Sequence, residues 1–146
     1  MEARLNAKEL SPGGLKAMGA LHAFVHQCGL EMNLLELVKL RVSQINGCAF
    51  CINMHAKKLR AEGETEQRIY LLNAWREAPQ YTARERAALQ WAETLTTLAT
   101  NHVSDAAYEA ARCEFGDVGL VNLTLAVVAI NGANRINVAF RTVPTE

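Results

Sequence analysis

The stretch 44–55 reads QINGCAFCINMH, and it constrains the fold more than any other part of the chain. Asn46-Gly47 is a dipeptide that interrupts regular structure, and it separates two segments whose apolar residues recur at helical spacing. Upstream, Leu34, Leu35, Leu37, Val38, Leu40, Val42 and Ile45 crowd the segment Met32–Ile45 so densely that its helix has to be buried on more than one side. Downstream, a helix restarting at Cys48 puts Cys48, Cys51 and His55 three and four positions apart, on one stripe of a 3.6-residue repeat. Ile52 and Leu59 share that stripe, while Lys57, Lys58 and Arg60 point the other way. Gly63 is the expected C-terminal cap.

The remaining segments follow the same period. Ser11-Pro12-Gly13 is a turn signal, so residues 1–13 read as an extended arm. Leu15, Met18, Leu21, His22, Val25 and Cys28 then mark a first amphipathic helix that stops at Gly29. Thr65 opens a helix through Leu71, Leu72 and Trp75, halted by Pro79. Thr82 with Glu85 three residues later is a capping-box pattern for a helix striped by Ala88, Leu89, Trp91, Ala92, Leu95 and Leu98. Two further helices are expected over 105–115 and roughly 118–140. Trp75, Trp91 and Tyr70 fall at core spacings. No segment alternates with period two over a strand length, so the expected class is all-α: one compact domain, 1–146, of six or seven helices.

Composition excludes several roles. Fifteen basic and fifteen acidic residues leave no net field to attract nucleic acid, anionic lipid or an acidic partner. The opening MEARLNAKEL lacks the apolar centre of an export signal, which points to the cytoplasm. The longest apolar run, 118–130, contains Asn122 and is too short for a bilayer, so it reads as a core helix. Its apolar perimeter exceeds what one small core needs, and a homo-oligomer is therefore expected.

In a reducing compartment a Cys-x-x-Cys pair points to redox or metal chemistry rather than a structural staple. Three readings of Cys48 and Cys51 stand side by side. As a cycling dithiol, Cys48 in a first helical turn has the positive helix end to stabilise its thiolate, and Cys51 has His55 one turn away. Regular helix geometry leaves Cβ atoms three apart at roughly 5–6 Å, whereas a disulfide wants about 3.5–4.5 Å. Closing the bond is thus expected to distort the first turn and to give a labile disulfide. As a zinc site, Cys48, Cys51 and His55 lack an evident fourth ligand. As packing, the thiols are simply buried. His22 and His26, four apart, have no carboxylate nearby in sequence and read as packing or surface groups. Cys28 and Cys113 have no activating setting, and Arg41 and Arg135 fit substrate binding and surface ion pairs equally.

Glu36, twelve residues before Cys48, together with Cys48-x-x-Cys51-x-x-x-His55, is similar to the signature of the alkylhydroperoxidase D family within the carboxymuconolactone decarboxylase superfamily. Lys39-Leu40-Arg41, Ser43 to Gly47, and Trp75-Arg76-Glu77-Ala78-Pro79 also resemble its small members, and the likeness is good over about 30–100. The resemblance implies an all-helical trimer or hexamer that reduces alkyl hydroperoxides with no metal, haem or flavin. In that scheme Cys51 attacks the peroxide, Cys48 resolves the sulfenic acid as a disulfide, and Glu36 acts as a distant base through His55 and a water. A dithiol or thioredoxin-like adaptor restores the thiols. Phe50 stands where the family's peroxidase carries a second histidine, so part of that proton network is missing. A decarboxylase-like lactone reaction without thiol chemistry, and a non-catalytic redox-sensitive oligomer, remain as alternatives.

Overall fold

The computed structural model of the chain describes residues 2–144, and among these there are seven α-helices and no strand. They are α1 (Ala7–Leu10), α2 (Pro12–Gln27), α3 (Met32–Ile45), α4 (Ala49–Ala61), α5 (Glu66–Leu71), α6 (Ala83–Thr96) and α7 (Asp105–Phe140). A 3-10 turn, Leu72–Ala74, extends α5.

Helix α3 is the axis, packed against α4, α6 and α7. Leu34, Leu35, Val38 and Val42 enter one apolar cluster with Val25, Trp91, Leu123, Val127 and Ile130. Leu37 and Leu40 enter a second, with Leu59, Leu72, Trp75 and Leu89. Each such side chain removed from water contributes about 1.5–3 kcal/mol, so the dense apolar pattern of α3 produces a helix surrounded on nearly every side. Charged groups on this helix are therefore forced inward, and that is what builds the site.

Helix ends follow their sequence signals. Thr82 accepts the Glu85 N–H at 3.2 Å while the Glu85 carboxylate accepts the Thr82 N–H at 2.8 Å, closing the capping box. Thr65 and Ser104 cap α5 and α7 in the same way through their hydroxyls.

Four expectations need correction. The arm over 1–13 contains α1, and Pro12 is the first residue of α2 rather than part of a turn, since its fixed φ suits a helix start and its missing N–H costs nothing there. Leu98 lies beyond the end of α6 and is 53% exposed. Tyr70 is 69% exposed, because α5 turns Ile69 and Leu71 to the core. The expected helices over 105–115 and 118–140 share one continuous run, bent at Gly116, whose φ of 65° is open to glycine.

By length and composition α7 is the one described helix able to cross a bilayer. Its Leu120, Leu123, Ala126, Val127, Ala129, Ile130 and Asn134 are buried against the bundle, which is the behaviour of a core helix.

Candidate active site

The site sits where α3 ends and α4 begins. Asn46 closes α3, and Gly47 takes the left-handed conformation at φ 65°. The Cys48 N–H then reaches back to the Ser43 carbonyl at 3.0 Å and the Gly47 N–H to Gln44 at 3.3 Å, the paired bonds of a Schellman cap. Cys48 is thus fixed by the end of α3, and it is also the N-cap of α4, its sulfur accepting the Cys51 N–H at 3.3 Å. One residue is gripped by two helix ends.

This position revises the expected geometry. Cys48 precedes the helix, with an extended backbone (φ −86°, ψ 93°), instead of lying inside the first turn. The disulfide joins Cys48 to Cys51 across 5.3 Å between Cα atoms, with α4 helical from Ala49 onward. The expected distortion of the first turn is absent because the free dihedral angles of the cap absorb it. Both cysteines are buried at 1% exposure.

Beneath the disulfide lies a chain of buried ionisable groups. Glu36, on α3, has its Oε2 at 2.6 Å from His55 Nδ1 on α4, and its Oε1 accepts from Lys39 Nζ at 2.8 Å. Glu36 and Lys39 are each 1% exposed, and His55 is 3% exposed. On its other side Lys39 Nζ donates to His26 Nε2 of α2 at 3.2 Å. Lys58 stands 3.9 Å from Glu36 Oε1 at the surface.

Burial pushes the Glu36 carboxyl up, but its hydrogen bonds and charge contacts with His55 and Lys39 outweigh that and hold it at about 2. Burial lowers His55, and the opposing pull of Glu36 is shared with a second cation, Lys39. Burial likewise lowers Lys39, His26 and His22. Burial favours the neutral form of His55 and the contact with Glu36 opposes it, while Lys39 supplies Glu36 with a second cation. A neutral imidazole that donates Nδ1–H to Glu36 has its lone pair on Nε2. That Nε2 is buried and has no hydrogen-bond partner among the described residues.

His55 and Cys51 line one cavity of about 210 Å³, together with His22, His26, Lys39 and Asn137. Asn137, from α7, directs its side-chain N–H to Cys51 Sγ at 3.5 Å. It ends a ladder on α7: Asn131 and Asn134 both accept from Asn46, and Asn134 donates to Ser43, pinning α7 to the α3–α4 corner.

All four residues singled out in the sequence, Glu36, Cys48, Cys51 and His55, therefore meet at this corner. Lys39, His26 and Asn137 were not foreseen. Lys39 is three residues from Glu36 on an otherwise apolar helix, and Asn131, Asn134 and Asn137 repeat every third residue of another; both patterns are readable signals. Arg41 instead donates to Glu93 at 2.6 Å and belongs to a structural ion pair, and Arg135 bonds back to Asn131. Cys28 is half-buried with its thiol on the Val25 carbonyl, and Cys113 is exposed. Among the described residues no group of three or more His, Cys, Asp and Glu is arranged to hold a metal ion.

Residues 12–94 match the model of the carboxymuconolactone decarboxylase family, which takes its name from an enzyme. The chain is 41% identical over 139 residues to the uncharacterized protein YdfG of Bacillus subtilis (strain 168), covering 95% of each. It is similar to the crystal structure of a protein of unknown function from Agrobacterium tumefaciens, proposed as the antioxidant defence protein AhpD, at TM-score 0.96 and 44% identity over 99% of both chains. An uncharacterized peroxidase-related protein from Silicibacter sp. TM1040 is similar at TM-score 0.77 and 26% identity, over 90% of this chain and 70% of that one. With more than half of its length matched by the family model, the chain belongs to the carboxymuconolactone decarboxylase family and has the fold of its AhpD-like members.

Proposed function

We propose that the protein is a dithiol peroxidase that reduces small organic hydroperoxides, with Cys51 as nucleophile, Cys48 as resolving thiol, His55 as base and Glu36 as the group that holds it. The observation that carries this reading is the buried, unpartnered Nε2 of His55 beside Cys51, with Nδ1 fixed by Glu36. A neutral imidazole with one nitrogen held by a carboxylate and the other free is the arrangement of a general base.

In the reduced protein Nε2 takes the Cys51 proton and Asn137 Nδ2–H steadies the thiolate. The thiolate attacks the terminal peroxide oxygen and the O–O bond breaks. The imidazolium returns its proton to the departing alkoxide, leaving an alcohol and a Cys51 sulfenic acid. Cys48 then attacks the sulfenic sulfur, water leaves and the disulfide forms. The lysine is integral to this scheme: Lys39 keeps Glu36 ionised without requiring a proton on His55. A cavity of about 210 Å³ lies below the usual range of drug-sized sites, about 300–1,000 Å³, and suits a compact hydroperoxide.

The dithiol or thioredoxin-like reductant, cytoplasmic location and homo-oligomeric state belong to the same proposal. Val118, Val121 and Val128 of α7 are 75%, 59% and 54% exposed, an apolar face that supports self-association. Light scattering is expected to return a multiple of 16.1 kDa, a trimer or hexamer, and a monomer would remove that part.

The deciding experiment follows cumene hydroperoxide with dithiothreitol as reductant. Cys51→Ser is expected to abolish turnover, while Cys48→Ser, oxidised with no free thiol present, is expected to stop after a single oxidation with a dimedone-reactive sulfenic acid on Cys51. Unchanged turnover in Cys51→Ser overturns the assignment.

A further inference from the structure

The two cysteines of the disulfide line different cavities. Cys51 lines the small one with His55, as described. Cys48 lines a second, of about 400 Å³, walled by Phe50, Val138, Val143 and Pro144, with Arg141 among its lining residues. His55 does not line this second cavity. Its outer wall exists because Arg141 adopts the left-handed conformation (φ 53°) and turns residues 142–144 back from the end of α7. Asn137 lies between the cavities and touches both.

We propose that the second cavity is the access site for the reducing thiol, and that reductant and hydroperoxide use opposite sides of the disulfide. The proposal rests on the dithiol reading above, but concerns the return half of the cycle. Displacement at a disulfide requires the incoming sulfur in line with the bond, behind the sulfur attacked. A thiolate in the larger cavity meets Cys48, so the S–S electron pair passes to Cys51. The leaving thiolate then forms beside the Asn137 amide, 3.5 Å away, and in the cavity of His55. It emerges where the next hydroperoxide arrives.

The step balances. The reductant's first sulfur bonds to Cys48 Sγ and Cys51 departs as thiolate; the second sulfur then attacks the first, closing the reductant's own disulfide and releasing Cys48, which takes a proton. Two electrons move from the dithiol to the protein. The occupant is a slender, largely apolar dithiol of small-molecule size. Cys48 is only 1% exposed, beyond the reach of a flat protein surface, whereas about 400 Å³ lies within the range of small-ligand pockets.

Oxidised wild-type protein, treated briefly with 2-mercaptoethanol and quenched with iodoacetamide, reports the attacked sulfur directly by peptide mass spectrometry. The mixed disulfide is expected on Cys48, with carbamidomethyl on Cys51, in at least about tenfold excess over the reverse pattern. An excess on Cys51, or a comparable mixture, overturns the proposal. A second measurement follows dithiothreitol reduction of Val138→Trp, with its fold checked by circular dichroism. Filling the cavity is expected to slow disulfide reduction about tenfold or more, a barrier change of roughly 1.4 kcal/mol, and an unchanged rate overturns the proposal. Reduction by a thioredoxin faster than by dithiothreitol at equal thiol would overturn the small-dithiol assignment. None of these measurements uses a hydroperoxide, so a protein that failed to consume peroxide would lose the function proposed above and leave this result standing.

Discussion

Replacing Lys39 with Met tests the charge arrangement most directly, since methionine fills much of the lysine's volume and removes the cation. Lys39 Nζ lies 2.8 Å from Glu36 Oε1, with both side chains 1% exposed. At that separation and an effective dielectric constant of about 20, the attraction is roughly 6 kcal/mol. Desolvation offsets much of it when the pair forms, but removing one partner strands the other, and the expected loss is about 3–5 kcal/mol. For a chain of this size that lowers Tm by roughly 6–20 °C.

The structure also fixes how that loss responds to pH. His55, 2.6 Å from Glu36, can accept a proton and replace the missing cation. The penalty of Lys39→Met should therefore shrink as pH falls from 7 to 5, and hydroperoxide turnover should move to higher pH because protonated His55 is no base. Urea unfolding of wild type, Lys39→Met, Glu36→Gln and the double variant across this range is the assay. The double variant removes both ions, so it should be more stable than Lys39→Met alone. If its loss equals the sum of the two single losses, with no pH dependence, the coupling does not exist and His55 owes nothing to Lys39.

Wild-type stability should fall on acidification in two stages: first below the ordinary histidine value of 6.5, because buried His55 stays neutral in the fold while the unfolded chain takes up protons. Then, below 4.5, the contribution of Glu36 is lost as pH approaches about 2; a urea midpoint flat from pH 7 to 3 would contradict both. Asn137→Ala removes the N–H that faces Cys51 Sγ and should slow sulfenic acid formation about tenfold, measured by stopped flow on the reduced protein. Thr82→Ala opens the capping box of α6 and should cost about 1 kcal/mol in urea unfolding with no effect on either half-reaction.

Much of the architecture was legible because α3 and α6 announce themselves through apolar spacing, Gly47 and Gly63 through their need for positive φ, and Thr82-Glu85 through capping chemistry. The four signature residues come together because α3 and α4 lie side by side. What escaped was anything set by three-dimensional neighbours. Lysine is rarely buried, so nothing local marks Lys39 as internal, and only the enclosure of α3 by its neighbours makes it so. His26 lies 13 residues from Lys39 and Asn137 lies 86 from Cys51, so no local pattern links them. Tyr70 failed for the opposite reason: its spacing was right, but α5 is a six-residue helix with a single buried position.

The replacement of the family histidine by Phe50 takes on a different meaning once the cavities are separated. Phe50 lines the space beside Cys48, and the residues that it shares with that space are largely apolar. The base proposed for Cys51 lies in the other cavity, held by Glu36 and backed by Lys39 and His26. An aromatic ring at position 50 makes the Cys48 side more apolar. On the reading proposed above, proton transfer and reductant access use different sides of one disulfide. A change at position 50 should alter the rate of reduction while leaving the proton path to Cys51 in place.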